Sequence, residues 1–215
     1  MNGERITTGK PATTPYFIVV EGVDGVGKTT FVKHLAARLG ASQYKSPGGV
    51  FAQARAVVDT AGLAGLERYH FFRSATQSDS AAIALLLRDG PVVCDRYIDS
   101  TIVCNAARDP RVWEVADRRH LCVPVATIVL TARPEVIAAR LAARANRDHE
   151  ELDLAFVLRC DQSFRRLGHP ILDSSDATPD LLVEQAMALI QSAACPKPSP
   201  VTVCPTQSLS TEWSP

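Results

Sequence analysis

The chain has 215 residues, 46% of them hydrophobic, which suits one α/β domain with its own core. Lys plus Arg and Asp plus Glu both total 23, so the formal net charge is zero and no global field draws the chain to a nucleic-acid polymer or a membrane surface. The six cysteines have no zinc-site spacing, no apolar run is long enough to span a membrane, and the first 15 residues lack the apolar stretch of a secretion signal, so a cytoplasmic location is expected.

In chain order, residues 1–15 are rich in Thr, Gly and Pro and are expected to be disordered. Tyr16 to Val20 is an apolar run that reads as a buried parallel strand. Gly22-x-x-x-x-Gly27-Lys28-Thr29 follows with no gap. A helical pattern starts at Lys28, with Phe31, Leu35 and Leu39 at helical spacing and Gly40 as its stop. A short strand near Gln43–Lys45 leads into the turn Ser46-Pro47-Gly48-Gly49, and a helix is predicted from Val50 to Thr60. Glu67 to Arg88 reads as one long helix, and Pro91 to Asp95 as a third strand ending on a carboxylate.

The spacing predicts mostly helix over 99–120, with a break at Asp109-Pro110. Val125 to Leu130 is a fourth strand, and Pro134 opens a helix to about Ala145 as an N1 proline. A charged segment at 144–151 separates it from a helix over Leu152–Leu167. His169 to Leu172 is a short fifth strand, and Thr178-Pro179 starts a last amphipathic helix. From Cys195 to Pro215 Pro, Ser and Thr dominate, and a disordered tail is expected. One α/β domain over 16–194 follows, with a five-stranded parallel sheet between layers of helices. Ligands on such sheets sit at the carboxyl ends of the strands.

That rim carries the chemistry. A strand, a glycine-rich loop and a helix in this order form a phosphate cradle: backbone N–H groups of the loop point at the anion, backed by the positive end of the helix. The cradle comprises Gly22, Val23, Asp24, Gly25, Val26, Gly27, Lys28, Thr29 and Thr30, with Lys28 as a charge on the β- and γ-phosphates. Thr29 offers a hydroxyl, and Asp95 a carboxylate, to Mg²⁺. Arg96 beside it suits phosphate oxygens, although a structural Asp–Arg pair would read the same way. Lys45 with Ser46 to Gly49 makes a second loop with a cation on the rim; an ordinary turn is the plainer account. Arg140, Arg144 and Arg147 share one helical face, which is either solvated or a lid that lowers arginines onto a transferring phosphoryl group.

With these residues in hand, the chain resembles the thymidylate kinase family of P-loop nucleoside monophosphate kinases over about residues 16–192. The resemblance rests on Phe17 to Thr30, Ser46-Pro-Gly-Gly49, Asp95-Arg-Tyr-Ile-Asp-Ser100, Val129 to Arg140 and the charged segment before Phe156. It implies transfer of the ATP γ-phosphate to a deoxynucleoside monophosphate, dTMP above all, with Mg²⁺, in a homodimer. Carried over by position, Asp24 lies near the acceptor sugar and the metal, Lys45 stands for an arginine on the acceptor phosphate, and Phe71 stacks on the acceptor base. Arg96 bridges the phosphates and Ser100 and Thr101 approach the base, while Asp173 to Asp176, with Ser174 as the binding residue, flanks the adenine.

The acceptor end departs from the family. Its base-reading arginine falls on Ala75, with Arg73 a substitute only if the helix shifts by two residues. Cys104 replaces the tyrosine that crowds the 2′ position, and Val103 stands where alanine is usual. Two other readings stay open: a phosphotransferase for another nucleotide, nucleoside or small metabolite, and a nucleotide-binding protein without turnover.

Overall fold

The structure is a computed structural model and describes residues 15–63, 65–143 and 153–193. The segments expected to be disordered, apart from Pro15, and the 144–151 lid with Arg144 and Arg147 lie outside the described residues.

Thirteen elements are described. They are β1 (Phe17–Glu21), α1 (Lys28–Leu39), β2 (Ser42–Lys45), α2 (Gly49–Thr60), α3 (Gly65–Leu86), β3 (Val92–Asp95) and α4 (Ile98–Ala106), then α5 (Val112–Val115), β4 (Ala126–Thr131), α6 (Pro134–Ala142), α7 (Leu154–Arg165), β5 (Ile171–Asp173) and α8 (Pro179–Ala193). The five strands form a sheet in the order β2-β3-β1-β4-β5, and every pairing is parallel.

Alternate side chains of a strand face opposite sides of a sheet. In β1, Ile18 and Val20 join Phe31 and Leu35 of α1 and Leu182, Val183 and Ile190 of α8 in the larger core cluster. Phe17 and Val19 join Tyr69 and Ile83 of α3 and Ile98 and Ile102 of α4 in the second. All five residues of β1 are buried, so the strand is fixed from both faces and its carboxyl end is a rigid platform. Gly40 closes α1 in the left-handed conformation at φ 60°, with its N–H on Ala36 and Ala37.

One stretch differs from the helical expectation. Over 99–120 the chain is helical only in α4 and α5, and residues 116–125 are irregular. Long-range polar contacts replace the helical ladder there. Arg73 donates to the Asp117 carbonyl at 2.8 Å and to the Arg119 carbonyl at 2.7 Å. Gln77 donates to the His120 carbonyl at 2.9 Å, and the Cys122 N–H reaches Ser80 Oγ at 2.7 Å. The segment is thus laced along α3, with several of its backbone groups satisfied by that helix's side chains.

Candidate active site

The carboxyl ends of β1, β2 and β3 bring together the loop 22–27, Lys45 and Asp95. The loop curls through Gly22, Gly25 and Gly27 at φ 132°, 88° and 87°, outside the range side chains prefer. At Gly22 the packing is equally strict: a Cβ would stand 2.2 Å from the Leu130 carbonyl oxygen of β4. Val23 and Val26 turn their side chains into the core. Their carbonyls are occupied, Val23 by Lys28 Nζ at 2.6 Å and Val26 by Ser174 Oγ at 2.8 Å.

Lys28 is buried, with Asp24 Oδ1 3.6 Å from Nζ. Burial and the nearby Arg96 lower its pKa, against the carboxylates of Asp24, Asp95 and Glu21. A cavity of about 120 Å³ opens here, lined by Lys28, Thr29, Thr30, Lys45, Asp95 and Arg96 among others. Thr29 Oγ1 donates to Asp95 Oδ2 at 3.1 Å. The other carboxylate oxygen, Asp95 Oδ1, is buried and has no hydrogen-bond partner among the described residues. An unpaired buried carboxylate oxygen beside a threonine hydroxyl, at a phosphate cradle, fits a hard cation such as Mg²⁺. Among the described residues no group of three or more His, Cys, Asp or Glu converges, so such an ion would also need water or phosphate ligands.

Arg140 and Ser174 stand behind the loop. Arg140 reaches the Gly25 carbonyl at 3.4 Å, Ser174 Oγ at 3.0 Å and the Ser174 carbonyl at 2.8 Å. They join α6, the 174–178 connection and the phosphate loop into one unit.

Arg96 is the hinge between this cavity and a second one. It is a non-glycine residue at φ 71°, held by its N–H on the Val20 carbonyl at 2.9 Å. Its guanidinium donates to Asp24 Oδ1 at 2.5 Å, the Gly22 carbonyl at 3.1 Å and Ser100 Oγ at 3.2 Å. Asp24 and Arg96 line both cavities. The second holds about 70 Å³ and is lined by Arg55, Arg68, Phe72, Ser100, Thr101, Cys104 and Asn105 as well.

Behind Ser100 lies Glu21, fully buried at the end of β1. Its Oε1 accepts the N–H groups of Tyr97 at 2.9 Å and Ser100 at 3.2 Å, and its Oε2 accepts Ser100 Oγ–H at 2.5 Å. Burial, then the like charge of Asp99, pushes its pKa up to about 7, against the Ser100 hydrogen bonds and Arg96.

The second loop is clasped by α3. Asp79 accepts Tyr44 Oη–H at 2.8 Å, Ser46 Oγ–H at 2.6 Å and the Gly48 N–H at 3.0 Å. Lys45 lies at the near end of that loop.

Three expected acceptor residues do not line the second cavity; Lys45 lines the first. Phe71 instead packs edge-on against Phe51, ring centres 5.5 Å apart, and Arg73 points to the 117–119 carbonyls. Ala75 is buried in packing. From α3 the cavity is lined by Arg68 and Phe72, with Thr76 one turn on behind Thr101, one residue later than counting back from Asp95 gave. Arg68 is buried, paired with Asp59 at 2.5 Å, and its guanidinium lies 4.8 Å over the Phe72 ring. Thr76 hydrogen-bonds Thr101, hydroxyl to hydroxyl, at 3.1 Å. The i, i+4, i+8 spacing of Arg68, Phe72 and Thr76 was a readable signal; Glu21 and Asn105 gave none.

A larger cavity than these two lies elsewhere. It holds about 500 Å³ beside Val19, Leu121, Val125 and Thr127, with Asp99, Arg118 and His169 as its charged corner. Asp99 pairs there with Arg118, and with His169 Nε2 at 3.0 Å.

A family model described as thymidylate kinase matches residues 20–169. The thymidylate kinase of Oceanobacillus iheyensis is 31% identical over 155 residues, covering 64% of this chain and 69% of that protein. A Bacillus anthracis thymidylate kinase is 26% identical over 204 residues, covering 81% and 96%. Among solved structures, a thymidylate kinase from Candida albicans superimposes with a TM-score of 0.70 at 21% identity, covering 84% of this chain and 93% of that one. One from Ehrlichia chaffeensis gives 0.60 at 20% identity, covering 83% and 100%.

Proposed function

The chain belongs to the thymidylate kinase family, and from that premise we propose that it moves the γ-phosphoryl group of ATP onto the 5′-phosphate of dTMP, releasing ADP and dTDP. It is an ATP-dependent nucleotide kinase. The observation that carries the reading is the Asp24–Arg96 pair, which stands on the border of two cavities, one of them at the phosphate cradle.

The acceptor phosphate is the nucleophile, so catalysis is positioning and charge stabilisation. In this reading the loop N–H groups and Lys28 hold the donor phosphates, backed by Arg140 and Ser174. Arg96 reaches the transferring group from Asp24, and Lys45 meets the acceptor phosphate. Phe72, one turn from Thr76, offers a ring to the acceptor base, and Ser100, Thr101 and Cys104 line its sugar and base. Arg144 and Arg147 enter as lid cations on sequence grounds alone. Thr29 and Asp95 would hold Mg²⁺, which when bound neutralises charge on the phosphate oxygens.

A threonine, not an arginine, stands one turn past Phe72, where Thr76 pairs with the Thr101 hydroxyl; this favours a second reading: the same transfer to another nucleotide or small acceptor. We further propose a homodimer and a cytoplasmic location. Supporting the second, Cys94 and Cys122 are free thiols.

ADP release, followed with ATP and a panel of nucleoside monophosphates, tests the whole. Release that requires dTMP and disappears in Lys28→Ala is expected. Release supported better by another acceptor would select the second reading, and turnover unchanged in Lys28→Ala would sink the mechanism.

A further inference from the structure

Glu21 takes no part in the transfer described above, yet it is among the most thoroughly buried charged side chains of the molecule. Its three hydrogen bonds all run to one place, the Tyr97–Ser100 turn that opens α4. That turn directly follows Arg96, whose left-handed backbone at φ 71° costs free energy for a non-glycine residue and persists only if its neighbours hold it. Ser100 Oγ, gripped by Glu21 Oε2, is itself an acceptor for the Arg96 guanidinium. The carboxylate thus reaches Arg96 twice, through the backbone after it and through the hydroxyl beneath its side chain.

We propose that Glu21 is a positioning residue for phosphoryl transfer: it ties the first turn of α4 to the end of β1 and so aims Arg96 and Ser100 at the acceptor. This rests on the kinase reading of the site.

The ionised carboxylate keeps Ser100 O–H pointed at Oε2 and leaves a Ser100 lone pair for Arg96. A proton on Oε2 would instead be donated to Ser100 Oγ, in competition with Arg96. The charged or titratable groups that act on Glu21, or feel it, are Asp99 on α4, Arg96 in the turn, Lys28 on α1 and Cys94 on β3. Asp99 opposes its ionisation and Arg96 favours it.

The test compares the full-length wild-type protein with Glu21→Ala and Glu21→Gln, the latter an isostere of the protonated side chain. In Glu21→Ala, kcat/KM for the acceptor should fall about 100-fold, as expected for a small misplacement of a catalytic group, while KM for ATP stays near wild type. In wild type, kcat/KM should rise roughly tenfold from pH 6 to 8 as Glu21 ionises, and Glu21→Gln should lack that limb while keeping its fold. Ionisation of the nucleotide phosphates acts on both proteins alike, so the difference between profiles isolates Glu21.

Hydrogen exchange of the 96–101 backbone, read by mass spectrometry without nucleotides, should be faster in Glu21→Ala than in wild type. Superimposable pH profiles of wild type and Glu21→Gln, or unchanged exchange at 96–101, would overturn the proposal. A Glu21→Ala protein that does not fold leaves the decision to the Glu21→Gln profile. Wild-type protein without acceptor-dependent ADP release would instead refute the kinase reading, and the exchange experiment would still judge the role of Glu21.

Discussion

Gly22 and Glu21 are adjacent residues with opposite demands. Gly22 needs space and a φ of 132°, with the Leu130 carbonyl oxygen 2.2 Å from where a Cβ would be. Gly22→Ala should lower the unfolding free energy read from urea titrations by on the order of 3 kcal/mol or more, since strain and a backbone clash add. Glu21 instead carries a pKa pushed up to about 7, from 4.5. The native state therefore binds this proton more tightly than the unfolded chain does. Stability from this group is present below about pH 4.5, declines as pH rises toward about 7, and stays lost above it. The loss amounts to roughly 3 kcal/mol. Glu21→Gln should be more stable than wild type at pH 8 and lose this slope, as denaturant titrations across pH would record. The ionised form that costs stability is the form that orders Arg96, which places a stability cost at a functional site.

At the scale of elements, most of the order along the chain could be read from periodicity and punctuation. The helix from Lys28 to Leu39 has its end residues in the sequence pattern because Gly40 is a local signal. The 116–125 segment is different. Nothing local there announces that Arg73, Gln77 and Ser80 of α3 will occupy its backbone groups. Arg73→Ala should cost about 1–2 kcal/mol and raise hydrogen exchange over 117–122, because two carbonyl bonds to a charged donor, one part-buried and one exposed, are lost. The same limit explains Phe71 and Phe72. Periodicity gives a helix its apolar face but does not set its register against a distant loop, so counting from Asp95 missed by one residue. The phosphate loop was legible because its chemistry is contiguous; the second cavity joins that loop, α2, α3 and α4, and contacts between them leave no trace in spacing.

For the whole molecule, α2 and α5 each pack on α3, and the three helices still expose apolar side chains. Val57 is 67% exposed, Leu85 57% and Trp113 46%. The homodimer proposed above would cover this layer with the roughly 800 Å² per partner of a standard interface. Sedimentation velocity should give a dimer for wild type and a monomer for Trp113→Asp. A dimer for both would place the symmetry elsewhere, and a monomer for both would remove it.

The Asp79 clasp gives this layer a mechanical meaning. One carboxylate of α3 grips Tyr44, Ser46 and Gly48 at once, so the helix and the loop that follows Lys45 travel as a single lever. A load on the outer surface of α3 is felt at Lys45 without passing through the sheet. Asp79→Ala would cut the linkage, and its signature would be a raised KM for the acceptor with that for ATP untouched.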